Sequence, residues 1–335
     1  MKSIKTMVLL LLTMVLSIVL PSQSFAETKV FIPLGSGNTV IQVDAATDQI
    51  EMDFGFVSNP HGLAATADGE YLFAGNLNQN ESYNIKGKFF NSSLALVHVF
   101  HGHVMHQLPV NGWSHHQTMT PDDRYVLSTH PMEGVVSVMD VLTFQVVANI
   151  NTDPGPYYVV ITKDGNRAFV SNSTAGTIQE IDTADWSIVR TIDAGMMPEH
   201  MVLSKDNSTL YVVSPRLGLL SEISLDNDDP RKEFTIGKNL HGLDISDDGL
   251  VLFIASRDTE ELVSFNIVSG KQARLSLSPN PYHLNTITGT GKVYVSSRTE
   301  PLIWVIDQQT MEVINTIDLP SGEGHQMAIV ENFDG

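Results

Sequence analysis

The sequence predicts an all-β fold, a seven-bladed β-propeller with four antiparallel strands per blade, and three observations carry that prediction. The first is internal repetition. PHGLAATADGEYLFAGN (60–76), SHHQTMTPDDRYVLSTH (114–130), PYYVVITKDGNRAFVSN (156–172), PEHMVLSKDNSTLYVVS (198–214), LHGLDISDDGLVLFIAS (240–256) and YHLNTITGTGKVYVSS (282–297) align. Each is an alternating apolar run, a turn rich in Asp, Gly and Thr, and a β-rich run, which reads as strand, hairpin, strand. The second is the step. The second motif residue falls at His61, His115, Tyr157, Glu199, His241, His283 and, in the C-terminal GHQMAIV, His325; from 115 onward every step is 42 residues. Four strands in that length, repeated, is a propeller period. The third is complementary ends. Residues 28–56 read as three strands lacking a first, and GHQMAIVENF as a first strand lacking partners. The last blade is therefore expected to combine C-terminal strand a with N-terminal strands b, c and d, leaving no open edge.

Taken in order, the chain starts with Lys2 and Lys5 before an apolar or small run from Met7 to Leu20, then Pro21 and the small-x-small Ser24-Phe25-Ala26. This reads as a secretory signal over 1–26, followed by one propeller domain over 27–335. Cleavage would place the protein in a periplasm or outside the cell, with no membrane segment remaining. The first blade's step is 54 residues, so about twelve extra residues fall near 77–93, after a second strand and hence on the upper face. Two more strands complete each unit, as in VVSVMDVLTFQVVANIN (135–151) and TIQEIDTADWSIVRTID (177–193). Trp113, Trp186 and Trp304 occur singly and read as blade packing.

Composition bounds the function. Of 335 residues 42% are hydrophobic, too many for a disordered chain. The formal net charge of −19 becomes −21 without Lys2 and Lys5, and an acidic surface repels phosphate backbones, so no nucleic-acid partner is expected. The absence of cysteine excludes disulfides, thiolate catalysis and cysteine-ligated clusters, leaving twelve histidines as the main metal ligands. No G-x-S-x-G elbow, H-E-x-x-H helix or P-loop is present.

The repeats resemble the YVTN family of β-propellers. YVVS (211–214), FVSN (169–172) and YVSS (294–297) stand where that family carries its name motif, and KDG (163–165) and ADG (67–69) match its hairpin turn. The resemblance covers nearly all of the chain after residue 26. It implies the fold and leaves the function open, because this architecture carries enzymes, binders and scaffolds.

The start of strand one is the register position nearest the propeller axis. Five blades place His61, His115, His241, His283 and His325 there; the other two place Tyr157 and Glu199, with His116 and His200 one residue away. These seven imidazoles are expected to encircle the upper mouth of the channel. Neutral imidazoles suit copper and zinc. The nitrous-oxide reductase propeller is similar, and that resemblance implies a copper centre with His115-His116 as an adjacent ligand pair and the other five as singles. The pair lies in the second blade here, and with no cysteine for an electron-entry domain, a copper centre is expected to need a periplasmic redox or metal-delivery partner.

On the same face, the ends of second strands place His130, Arg216, Arg257 and Arg298, which could bind an anionic group such as the propionates of a haem d1-type cofactor. Local pairing to Asp258, Glu260 and Glu300 is the plainer expectation for the arginines. Glu199 and Glu323 are the candidate acids at the ring. A second cluster, His98, His101, His103 and His106, spans the third strand, turn and fourth strand of the first blade, on the opposite face, as a second possible metal site or a solvated turn. The functions left open are an exported copper or zinc protein in redox chemistry or metal handling, a haem d1-type binder, a non-catalytic recognition propeller, and a lactonase or lyase. The sequence leaves the oligomeric state open.

Overall fold

The computed structural model describes residues 27–78, 83–85, 88–110, 112–227 and 229–333. The export segment expected at 1–26 and part of the 77–93 insertion lie outside the described residues.

Seven four-stranded antiparallel sheets are arranged in sequence order. Their innermost strands are Pro60–Ala65, Gln117–Met119, Pro156–Ile161, Met201–Leu203, Leu240–Ile245, Pro281–Ile287 and Ala328–Phe333. The last belongs to the closing blade, where Ala328–Phe333 pairs with Glu27–Leu34, followed by Thr39–Asp44 and Gln49–Asp53. Ile329 stands opposite Val30 and Ala328 opposite Phe31, so the two chain ends share one ladder. In the first blade a small hairpin, Tyr83–Ile85 with Lys88–Phe90, sits between the second and third strands.

The hairpins explain the turn composition. Thr66, Thr120, Thr162, Ser204 and Ser246 each donate their hydroxyl to the aspartate two residues on: Asp68, Asp122, Asp164, Asp206 and Asp248. The same carboxylates accept backbone N–H groups from Glu70, Arg124, Asn166, Ser208 and Leu250. A left-handed residue closes each turn, Gly69, Asp123, Gly165, Asn207 or Gly249. These are the residue types that tolerate positive φ.

The core is seven clusters, each between two neighbouring blades. Phe169 and Leu210 meet between the third and fourth, and Phe253 and Val295 between the fifth and sixth. Thirteen residues after each motif start, and twelve in the sixth motif, stands a large buried side chain: Phe73, Leu127, Phe169, Tyr211, Phe253 and Tyr294. Removing one such ring would cost about 3–5 kcal/mol. Outermost strands alternate or face water, as in Ser187–Asp193 and Gln49–Asp53. Because every blade buries both faces against its neighbours, the inner strand edges are left to line the axis.

Candidate metal centre in the axial tunnel

The inner strands begin with a bulge. Pairing jumps from Pro60↔Asn76 to Leu63↔Ala74, from Leu240↔Ser256 to Leu243↔Ile254, and from Pro281↔Ser297 to Leu284↔Val295. In the second blade His115 N–H donates to the Thr129 carbonyl and Thr129 N–H to that of His116; in the fourth, Glu199 and His200 straddle Val213 in the same way. Two residues thus oppose one, the bulge pattern that re-aims a side chain. The histidines occupy these bulged positions.

Close approach sets the neighbouring residue. A Cβ on Gly62 would lie 2.4 Å from Gln117 Oε1, 2.5 Å from Gln326 Oε1 and 2.8 Å from the His115 carbonyl. One on Gly242 would lie 2.6 Å from the Leu284 nitrogen. Glycine after His61 and His241 is what lets adjacent inner strands pack around the tunnel.

All seven ring histidines are brought together. Centroid separations are 4.3 Å for His61–His115, 4.4 Å for His61–His325, 5.4 Å for His283–His325, 4.5 Å for His241–His283 and 4.2 Å for His200–His241. Tyr158 fills the remaining stretch, 3.5 Å from His116 and 4.5 Å from His200. Two triads have ligand atoms within 4.8 Å of one another: His61, His283, His325 and His200, His241, His283. His283 belongs to both. Six of the rings are buried, and His241 is partly so.

Hydrogen bonds orient the nitrogens. His61 Nδ1–H donates to the His115 carbonyl and His115 Nδ1–H to that of Tyr157, each at 3.1 Å, leaving both Nε2 atoms as lone-pair donors. His325 uses Nε2–H on Glu323 Oε1 at 3.2 Å, and its Nδ1 is buried without a partner among the described residues. This is the outer-sphere arrangement that holds metal-ligating imidazoles. His116 has the opposite polarity, its Nδ1 accepting from Val159 N–H at 3.4 Å. His241 Nε2 and His283 Nε2 lie 3.1 Å apart. Both nitrogens of His200 are buried and find no hydrogen-bond partner among the described residues. A buried polar atom left unpaired costs about 1–3 kcal/mol unless something binds it, so the donor set fits a d-block ion.

Electrostatics keep these rings neutral. Burial pushes His200 down to about 3 and His115 to about 4. Burial, reinforced by mutual repulsion, holds His61, His116, His241 and His283 well below the ordinary histidine value. His325 is also lowered by burial, opposed by Glu323. Neutral imidazole is the ligating form.

At the upper mouth, Tyr282 stacks on His241 with centroids 4.0 Å apart and planes at 6°. Arg257 and Arg298 lie over the Tyr282 ring at 5.2 and 5.1 Å. Arg298 pairs with Glu323 at 2.9 Å, and Arg257 Nε donates to Asn280 Oδ1 at 3.0 Å. The expected local pairing of these arginines to Asp258, Glu260 or Glu300 does not occur among the described residues. Burial raises Glu199 to about 7, against the pull of Arg216 and Arg257. Glu323 is held at about 2: burial opposes ionisation, but bonds from His325 and Ser36 and the Arg298 charge outweigh it.

Two expected residues or groups stand apart from the tunnel. His130 is saturated, with Nδ1–H on the Trp113 carbonyl at 2.9 Å and Nε2 bonded to Ser137 Oγ at 2.7 Å, so it has no free nitrogen for a ligand. In the lower-face cluster, His98 accepts from His101 N–H, pairs through Nε2 with Glu70 at 3.3 Å, and stacks on His101 at 3.9 Å. His103 bonds the His101 carbonyl and His106 packs near Phe144. No third ligand atom joins any pair of these within 4.8 Å among the described residues.

Sequence reasoning missed Tyr158, Tyr282 and the layer below the ring. Tyr158 shares its repeat position with His116 and His200, a signal visible in the alignment. Gln326 Nε2 bonds the Gln117 carbonyl at 2.9 Å and the Leu63 carbonyl at 3.3 Å. Asp244, raised by burial to about 6, accepts Thr286 N–H at 2.8 Å.

Solved structures share this architecture. The hydrazine synthase of Kuenenia stuttgartiensis is similar over 85% of this chain and 93% of its own, with 18% identity and a TM-score of 0.74. The periplasmic gluconolactonase PpgL of Pseudomonas aeruginosa is similar over 91% and 99%, with 18% identity and a TM-score of 0.67. A putative 6-phosphogluconolactonase of Bacteroides uniformis is similar over 91% and 100%, with 15% identity and a TM-score of 0.73. At such identities the likeness is one of fold. No curated protein matches the chain by sequence, and no helix among the described residues is long and apolar enough to cross a membrane. The YNCE-like beta-propeller family matches residues 17–210, more than half of the sequence, and the chain belongs to that family.

Proposed function

We propose that this protein is an exported metal-binding propeller that holds copper, with zinc as the alternative ion, among its tunnel histidines and serves redox chemistry or metal handling. The observation that carries the reading is His200: a buried imidazole with both nitrogens unpaired among the described residues, inside a triad with His241 and His283. The 3.1 Å between His241 Nε2 and His283 Nε2 supports it. Two metal–nitrogen bonds of about 2.0–2.1 Å span that gap at an angle of roughly 100°, between square-planar and tetrahedral values. A bound copper ion would supply one-electron chemistry or a transferable cargo. The chain's own part is to keep the imidazoles neutral, aimed and dry. A periplasmic redox or delivery protein would meet the metal at the upper mouth.

The test is elemental analysis with an absorption spectrum of protein purified from the periplasm. Bound copper or zinc supports the reading. A long-wavelength macrocycle band would instead indicate a haem d1-type binder. A protein that holds no metal before or after reconstitution would be a recognition propeller.

A further inference from the structure

Six of the eight arginines are ion-paired: Arg124 with Asp140, Arg167 and Arg190 with Glu180, Arg231 with Asp193 and Glu233, Arg274 with Glu261, and Arg298 with Glu323. Arg216 and Arg257 are the exceptions; neither has a carboxylate oxygen within 4.0 Å among the described residues. In a chain with 38 acidic residues against 19 basic ones, an unpaired guanidinium is the rarer state. Both exceptions stand just past the second strand of neighbouring blades on the upper mouth, Arg216 two residues after Thr209–Ser214 and Arg257 one residue after Val251–Ser256.

Their surroundings are built. The Arg257 bond to Asn280 holds its guanidinium over Tyr282 and leaves the terminal nitrogens without a partner among the described residues. Tyr282 lies flat against His241, so the Arg257 guanidinium and a tunnel imidazole both neighbour the same aromatic ring. Arg298 completes the rim, its charge already shared with Glu323. Arg216, exposed on the short Pro215–Leu217 turn of the adjacent blade, adds a second unpaired positive charge on this face, and its field, with that of Arg257, acts on the Glu199 carboxyl. Guanidinium forks match oxyanions geometrically, taking two oxygens at once.

We propose that Arg216 and Arg257 form a binding site at the upper mouth for a small oxyanion, a carboxylate or phosphate group, with Arg298 as its outer edge. The site admits anions to the end of the tunnel while the rest of the surface repels them. It stands on the arginine geometry and does not require a metal.

The experiment is calorimetric titration of metal-free protein with sodium acetate and, separately, inorganic phosphate, at constant ionic strength. Wild type is expected to bind at least one saturably. Saturation by acetate alone assigns a carboxylate and by phosphate alone a phosphate; either supports the site. The Arg216→Gln/Arg257→Gln double variant is expected to lose roughly tenfold or more in affinity, whereas Arg274→Gln, which removes a paired arginine elsewhere, leaves it unchanged. Glu199→Gln keeps binding if the arginines serve the anion and not that carboxyl alone. Repeating the titration on His241→Ala/His283→Ala separates the two readings, since metal loss there with anion binding retained leaves this site standing. No saturable binding by wild type, or equal affinity in the arginine double variant, overturns it.

Discussion

His241 Nε2 and His283 Nε2, from adjacent blades, face each other at 3.1 Å in the tunnel. In metal-free protein one of them must carry the proton that bonds the other; with an ion bound, both lone pairs turn to it. His283 belongs to both triads, whereas His61 belongs to one. His283→Ala is therefore expected to abolish metal retention, and His61→Ala to leave the His200–His241–His283 triad able to bind. Metal-to-protein ratios of the two variants after desalting check this; equal retention would contradict it.

His200→Leu separates stability from binding. Its two unpaired buried nitrogens burden the metal-free protein, and an apolar side chain removes that burden. Metal-free His200→Leu is expected to be more stable than wild type by about 1–3 kcal/mol, while binding metal more weakly. Denaturant melts with and without metal read both effects. A destabilised metal-free variant would mean that the nitrogens are satisfied.

Gly62→Ala tests the close packing around the tunnel. The new Cβ meets a backbone carbonyl as well as two glutamine side chains, so the His61 bulge must shift. The expected cost is about 1–3 kcal/mol, with weakened metal retention. Gly270→Ala is the comparison: positive φ strains it, but its Cβ would meet nothing within 4 Å, so metal retention should be unchanged.

His130 supplies the pH prediction. Burial pushes its imidazole down to about 4, against the pull of the Trp113 and Gly112 carbonyls. The unfolded chain takes up this proton near pH 6.5 and the folded one only near 4. The His130 contribution is therefore fully present above pH 6.5 and is lost as pH falls toward 4. Relative to the non-titrating His130→Asn, the wild type's stability advantage should shrink by up to about 3 kcal/mol across that range. Denaturation of both proteins at pH 7.5 and 4.5 measures it; a constant difference would contradict the assignment.

The 42-residue step and the split last blade were readable because each repeat buries the same faces, so core positions recur in register. The ring positions were readable for the same reason. Tyr158 was not, because Tyr in PYYVVI reads as one more β-former until its bulge turns it onto the axis; a bulge breaks the period of two on which strand reading rests. The arginine partners were misjudged because sequence proximity favoured Asp258, Glu260 and Glu300. The actual partner of Arg298, Glu323, comes from the next blade, a neighbour supplied by ring closure.

The most direct test of the central claim is X-ray absorption at the copper edge on reconstituted protein. Imidazole scattering with nitrogen at about 2.0 Å, lost in His283→Ala, is the predicted result. A copper shell without imidazole, or one unchanged in His283→Ala, would contradict a metal centre in the tunnel.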